Sequence, residues 1–184
     1  AYDLSNFSSA RPIVDRNGND SCAYYFKNNP FNHNYLINLN SNFLNGLESF
    51  SISLWYQPLD TTINDSKWQS VLSRDTTREN SCSRIREWSL TLLDCRKMVF
   101  ARTTSIIDSH IVEDNNCFEE VKLRTDLWQH AVGVYHKESN KIQLWRNGVL
   151  QGEKIDRIIC NNPPQDKGNL YLGYDYTGAL DDVI

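Results

Sequence analysis

The residues best equipped for chemistry are the carboxylates, four histidines and five cysteines, and their spacing limits what each can do. Glu119-Glu120 and Asp181-Asp182 are adjacent pairs. On a β-strand neighbouring side chains point to opposite faces, so such pairs are not expected to flank one scissile bond, and only one member can face a given site. His130 lies on an apolar-alternating segment beside Trp128 and Val132. No serine or cysteine nucleophile with an ordering acid can be placed next to it, so it is read as a satisfied core or edge histidine. His33, His110 and His136 stand in polar surroundings and read as surface residues. Cys22, Cys82, Cys95, Cys117 and Cys160 are far apart, with no Cys-x-x-Cys pair and no histidine at zinc spacing. They suit disulfides formed in an oxidising compartment, with one or two bridges expected and the connectivity left open.

Aromatic residues suggest a different chemistry. A neutral sugar is held by a flat apolar surface against its C–H face and by planar polar groups at its hydroxyls. Trp68, Trp88, Trp145, Tyr174 and Tyr176 are the candidate platforms, with Arg86, Asp75 and Asn162 as polar neighbours on loops. Trp55, Trp128 and Trp145 lie on strands that must fill a core, where an aromatic is more often packing than ligand contact. Tyr174 and Tyr176 flank Asp175 shortly before Gly178 and are expected to be better exposed. The ligand set read from the sequence is therefore Tyr174, Tyr176, Trp88, Trp68, Arg86 and Asp75.

These residues must be positioned by strands. Phe50, Ile52, Leu54 and Tyr56 alternate with Ser51, Ser53, Trp55 and Gln57 ahead of Pro58, the pattern of a half-buried strand. Similar runs cover 68–74, 88–93, 98–104, 128–136, 142–146 and 170–174, separated by turn-rich segments, and no amphipathic helix is evident. Lys137 to Lys141 reads as one hairpin turn and Asn147-Gly148 as a second, of type I′. Pro163-Pro164 place 161–167 in a loop. Strands without crossover helices imply antiparallel sheets, hence an all-β two-sheet sandwich.

The 184 residues suit one domain of this kind, and 40% hydrophobic with 23% charged residues gives a modest core with polar loops. A net charge of −4 with no basic run argues against a nucleic-acid partner. No apolar stretch is long enough to insert in a membrane. Asn6, Asn19 and Asn64 begin Asn-x-Ser sequons that would accept glycans in a eukaryotic secretory pathway.

Four blocks together carry a family resemblance. They are Ala23-Tyr24-Tyr25-Phe26 with Tyr35-Leu36-Ile37, the run from Phe50 to Tyr56, the Trp128-Gln129-His130 strand continuing through Ile142 to Asn147-Gly148, and Gly178-Ala179-Leu180-Asp181-Asp182-Val183. In this order they resemble the laminin-G-like, concanavalin A-like domains. The resemblance implies a jelly roll that serves as a carbohydrate-binding, adhesive or spacer module of larger secreted or surface proteins. It also implies a structural calcium between the opening segment and the closing strand, for which Asp182, Asp181, Asp3 and Asn17 are the expected ligands, with Asp182 preferred because it shares a face with Leu180. The acidic-x-acidic-x-x-acidic pattern of the glucanases with this fold is missing from these strands, so no catalytic residue is expected. Cys82, Cys95 and Cys117 fall outside the family pattern. Because the chain should reverse at 94–96 and again after Thr104, a Cys95–Cys117 bridge is the pairing favoured.

The sequence thus predicts a single module over 1–184, its closing strand, 179–184, cut short at Ile184. It is expected outside the cytoplasm, at the cell surface or in the periplasm, binding a glycan or, alternatively, an extracellular protein.

Overall fold

A computed structural model describes residues 5–7, 10–27, 34–39, 41, 49–59, 69–75, 86–92, 98–103, 109–113, 127–155 and 168–184. Among them are fourteen strands and no helix. They are β1 (Ser5–Phe7), β2 (Arg11–Ile13), β3 (Ala23–Phe26), β4 (Tyr35–Asn38), β5 (Phe50–Pro58), β6 (Gln69–Asp75) and β7 (Arg86–Leu92), then β8 (Met98–Thr103), β9 (Ser109–Glu113), β10 (Gln129–His136), β11 (Lys141–Arg146), β12 (Val149–Ile155), β13 (Leu170–Leu172) and β14 (Gly178–Asp181). Two antiparallel seven-stranded sheets result, one in the order β1-β4-β13-β6-β7-β8-β9 and the other in the order β12-β11-β10-β5-β14-β3-β2.

The alternation along β5 decides which side faces the partner sheet. Ile52, Leu54 and Tyr56 are buried, whereas Ser53, Trp55 and Gln57 are half-buried on the opposite face. The inner residues join Phe26, Ala131, Tyr135, Ile142, Leu144 and Leu180 of the same sheet, and pack on Leu36, Leu72, Trp88, Leu90, Leu92, Met98, Phe100 and Leu172 of the other. Each such side chain removed from water contributes about 1.5–3 kcal/mol, so this two-sheet contact is the main stabilising term. Gly133 lets the sheets approach closely: a Cβ there would sit 2.7 Å from Phe100 Cδ2.

The hairpins match their sequence signals. Asn147 and Gly148 adopt φ of 49° and 78°, the double left-handed geometry of a type I′ turn, between the paired residues Arg146 and Val149. The β10–β11 turn closes with Asn140 N–H donating to the Lys137 carbonyl at 3.0 Å.

The closing strand departs from its expected span. After Asp181, which pairs with Trp55, the next residue of the closing segment to bond β5 is Ile184, which exchanges two 2.8 Å backbone hydrogen bonds with Ser53. Three steps on one chain therefore oppose two on the other, a β-bulge, and Asp182 takes the left-handed φ of 44° that this requires. Asp75 and Arg86, expected in a loop, instead face each other as paired ends of β6 and β7.

Candidate functional site

Two groups of side chains stand out, one on the outer face of each sheet. The first is built on β4 and β13. Leu36 and Leu172 pair and point into the core, so their neighbours Tyr35 and Tyr171 point outward. Gly173, at a φ of 80°, opens a turn closed by Tyr176 N–H donating to the Gly173 carbonyl at 3.1 Å, and this turn swings Tyr174 back over the same face. Three half-buried rings meet there. Their centroids lie 5.6 Å apart for Tyr35 and Tyr171, 5.4 Å for Tyr35 and Tyr174, and 5.6 Å for Tyr171 and Tyr174, all tilted or edge-to-face. Asn169 donates from Nδ2 to the Tyr171 hydroxyl at 3.3 Å, adding a planar amide at the rim. Such a surface offers ring edges and faces to an apolar ligand patch, with phenol and amide groups beside it to bind hydroxyls.

The same turn corrects two expected ligand residues. Tyr176, two residues beyond Tyr174, is fully buried. The left-handed Asp175 (φ 60°) turns it into the core against Phe26, where its hydroxyl donates to the Ala179 carbonyl at 3.3 Å. Burial, reinforced by the neighbouring Tyr56, pushes its phenol well above the ordinary tyrosine range. Trp88 is only 5% exposed and packs on Phe50 at 5.9 Å, because it faces inward on β7. Neither can serve as a surface platform. Trp68, and the side chains of Asp75 and Arg86, lie outside the described residues. Tyr35 and Tyr171 went unrecognised in the sequence because neither carries a turn or spacing signal that would bring it beside Tyr174.

The second group lies where β5, β10, β14 and the β2–β3 turn meet. Asp15 organises that turn: its Oδ1 accepts the Asn17 and Asn19 amides, each at 2.8 Å, and its Oδ2 accepts from Asn19 Nδ2. The hydrogen bonds from Asn19 lower the Asp15 carboxyl below its usual range. Arg16 is thereby aimed at the closing strand, where its Nη1 donates to Asp181 Oδ2 at 2.7 Å and to Asp182 Oδ2 at 2.5 Å. The Asp182 bond raises the Arg16 pKa, opposed by burial and supported by Asp181. The guanidinium carbon lies 4.8 Å from the centre of the Trp55 ring, and Trp55 is stacked on His130 at 4.9 Å with an interplanar angle of 27°. His130 Nε2 and Ser53 Oγ are hydrogen-bonded at 2.8 Å. Burial, with the nearby Arg16 charge, lowers the His130 pKa.

This geometry bears on the expected calcium ligands. Asp181, not Asp182, is the buried member, with side chains 2% and 53% exposed respectively. The bulge, not simple alternation, brings both carboxylates to one point. That point already holds a guanidinium, and a divalent ion there would meet its fixed positive charge, so the pair as arranged does not fit calcium. Asn17 is exposed in the Asp15 turn, and Asp3 lies outside the described residues. No group of three or more His, Cys, Asp or Glu able to hold a metal occurs among the described residues. Trp55, Trp128 and Trp145, expected as core, are only half-buried, and Trp55 and Trp145 lie on outward-facing positions. Cys95 and Cys117 lie outside the described residues, and Cys22 is an exposed free thiol.

Two packed antiparallel seven-stranded sheets of this order define a jelly-roll sandwich. The profile of the concanavalin A-like lectin/glucanases superfamily matches residues 31–183, and the chain belongs to that superfamily. No curated protein matches it in sequence. Among solved structures, the receptor binding domain of botulinum neurotoxin mosaic serotype C/D is similar, with a TM-score of 0.69 and 14% identity over 99% of this chain and 42% of that one. A botulinum neurotoxin type C structure, whose cell entry is described as dependent on two ganglioside molecules, aligns with a TM-score of 0.65 and 13% identity over 97% and 42%. The binding domain of botulinum neurotoxin DC in complex with rat synaptotagmin II aligns with a TM-score of 0.62 and 13% identity over 98% and 43%. The chain spans about two fifths of the length of these structures. At this identity the likeness is one of fold.

Proposed function

We propose that the chain is a non-catalytic, extracellular binding module whose ligand is a glycan, taken on the surface formed by Tyr35, Tyr171 and Tyr174. The reading rests on the convergence of three half-buried tyrosines on one outer sheet face. Buried aromatic groups are ordinary in such a fold; a partly exposed cluster beside a polar amide is suited to stacking against a sugar. Membership of a lectin-containing superfamily and the ganglioside dependence of one structural neighbour support the same class of ligand. The non-catalytic reading is supported at Asp181 and Asp182, whose carboxylates are both bonded to one arginine.

A glycan array probed with the whole chain tests this. Selective retention of a glycan set is expected, and calorimetry on a retained glycan should show Tyr171→Ala and Tyr174→Ala each weakening binding up to about tenfold, from the loss of roughly 0.5–1.5 kcal/mol of ring contact. An array without retention, or variants that bind as the original does, would overturn the assignment.

A protein ligand is the second reading, favoured by β12, a terminal strand of its sheet on which Leu150 and Ile155 are exposed. The complex of one structural neighbour with synaptotagmin II is consistent with it.

A further inference from the structure

Where the resemblance implies a calcium ion tying the opening segment to the closing strand, this chain ties the same two parts with a side chain. We propose that Arg16 is a built-in cation that takes the place of that ion and makes the fold independent of calcium.

The geometry is specific to such a role. The Asp15-centred turn fixes the direction of Arg16, and the bulge at Asp182 brings a second carboxylate to the nitrogen already bonded by Asp181. Both contacts are made by Nη1, so one cationic group bridges the two carboxylates. A guanidinium is always protonated, planar and weakly hydrated, and can therefore also lie over Trp55, an arrangement a hydrated divalent ion could not match. Below Trp55 the stack continues through His130 to Ser53, whose backbone pairs with Ile184. The β2–β3 turn, β5 and the closing segment are thus joined at Arg16, and β10 is attached to the same group through Trp55. A calcium site, by contrast, needs six to eight oxygen ligands.

Thermal unfolding of the whole chain tests this without reference to any glycan. The midpoint should be the same in EDTA and in millimolar calcium chloride; a clear rise with calcium would overturn the proposal. This arm needs no variant to fold. Arg16→Gln should lower the midpoint by several degrees, and Asp181→Asn with Asp182→Asn should do likewise. Because the three groups act as one unit, the triple variant should fall no further than Arg16→Gln alone. Losses that simply add would show that the arginine and the two carboxylates act separately, and would sink the idea.

Discussion

At Gly173 the backbone turns through a φ of 80° and the Phe26 ring occupies the space a Cβ would need. Gly173→Ala must therefore both strain the turn and displace a core ring, a cost of about 1–3 kcal/mol or more. Chemical denaturation should register that loss, and the tyrosine surface should bind less well because the same turn carries Tyr174. His130 gives a second residue-scale expectation. Its folded pKa is lowered from 6.5, chiefly by burial and then by Arg16, so the unfolded chain binds the proton more readily. Its contribution to stability is complete above the unfolded value and is lost as pH falls from there towards the folded pKa. Unfolding midpoints measured between neutral and mildly acidic pH should show this decline, and His130→Gln should flatten it. Single residues were the hardest feature to read from the sequence. Tyr174 was legible as a partly exposed aromatic, but Tyr176 was not legible as core, since a left-handed Asp175 reverses what its spacing suggests. Arg16 carried no signal, because its partners lie about 165 positions away.

Among the elements, those with strong local chemistry were the ones the sequence revealed. The alternation of β5 and the Asn147-Gly148 turn are each set by near neighbours, and both occur as expected. Replacing Gly148 by alanine should cost about 1–2 kcal/mol, since no atom blocks a methyl group there and only the left-handed backbone penalty remains. A urea midpoint would measure that penalty almost in isolation. Gly133→Ala tests the opposite case: its backbone conformation is ordinary, but the added carbon meets Phe100 and should cost about 1–3 kcal/mol by overpacking. β9 was not distinguished as a strand, nor β1 and β2 as two, because each is short, three to five residues, and lies at a sheet edge where alternation is weakly enforced. The bulge after Asp181 was equally hidden, its sequence giving no glycine to mark it.

For the molecule as a whole, the two surfaces described lie on opposite outer faces, the tyrosines on one sheet and the Arg16 stack on the other. Substitutions at Tyr171 should accordingly leave the effects of Arg16→Gln unchanged, and additive unfolding losses in the combined variant would demonstrate that separation. The sandwich and its family were legible because hydrophobic alternation specifies layers, whereas strand order depends on partners remote in the chain. That order places β13 between β4 and β6, and β14 between β3 and β5. β13 and β14, which follow the other described strands in the sequence, are thus interior strands of their sheets. A polypeptide lacking them exposes four unpaired margins: one sheet can close only once β13 is present, at Leu172, and the other only once β14 is, at Asp181. Such a molecule should depend on chaperones while being made, and a version ending before residue 168 should aggregate on expression.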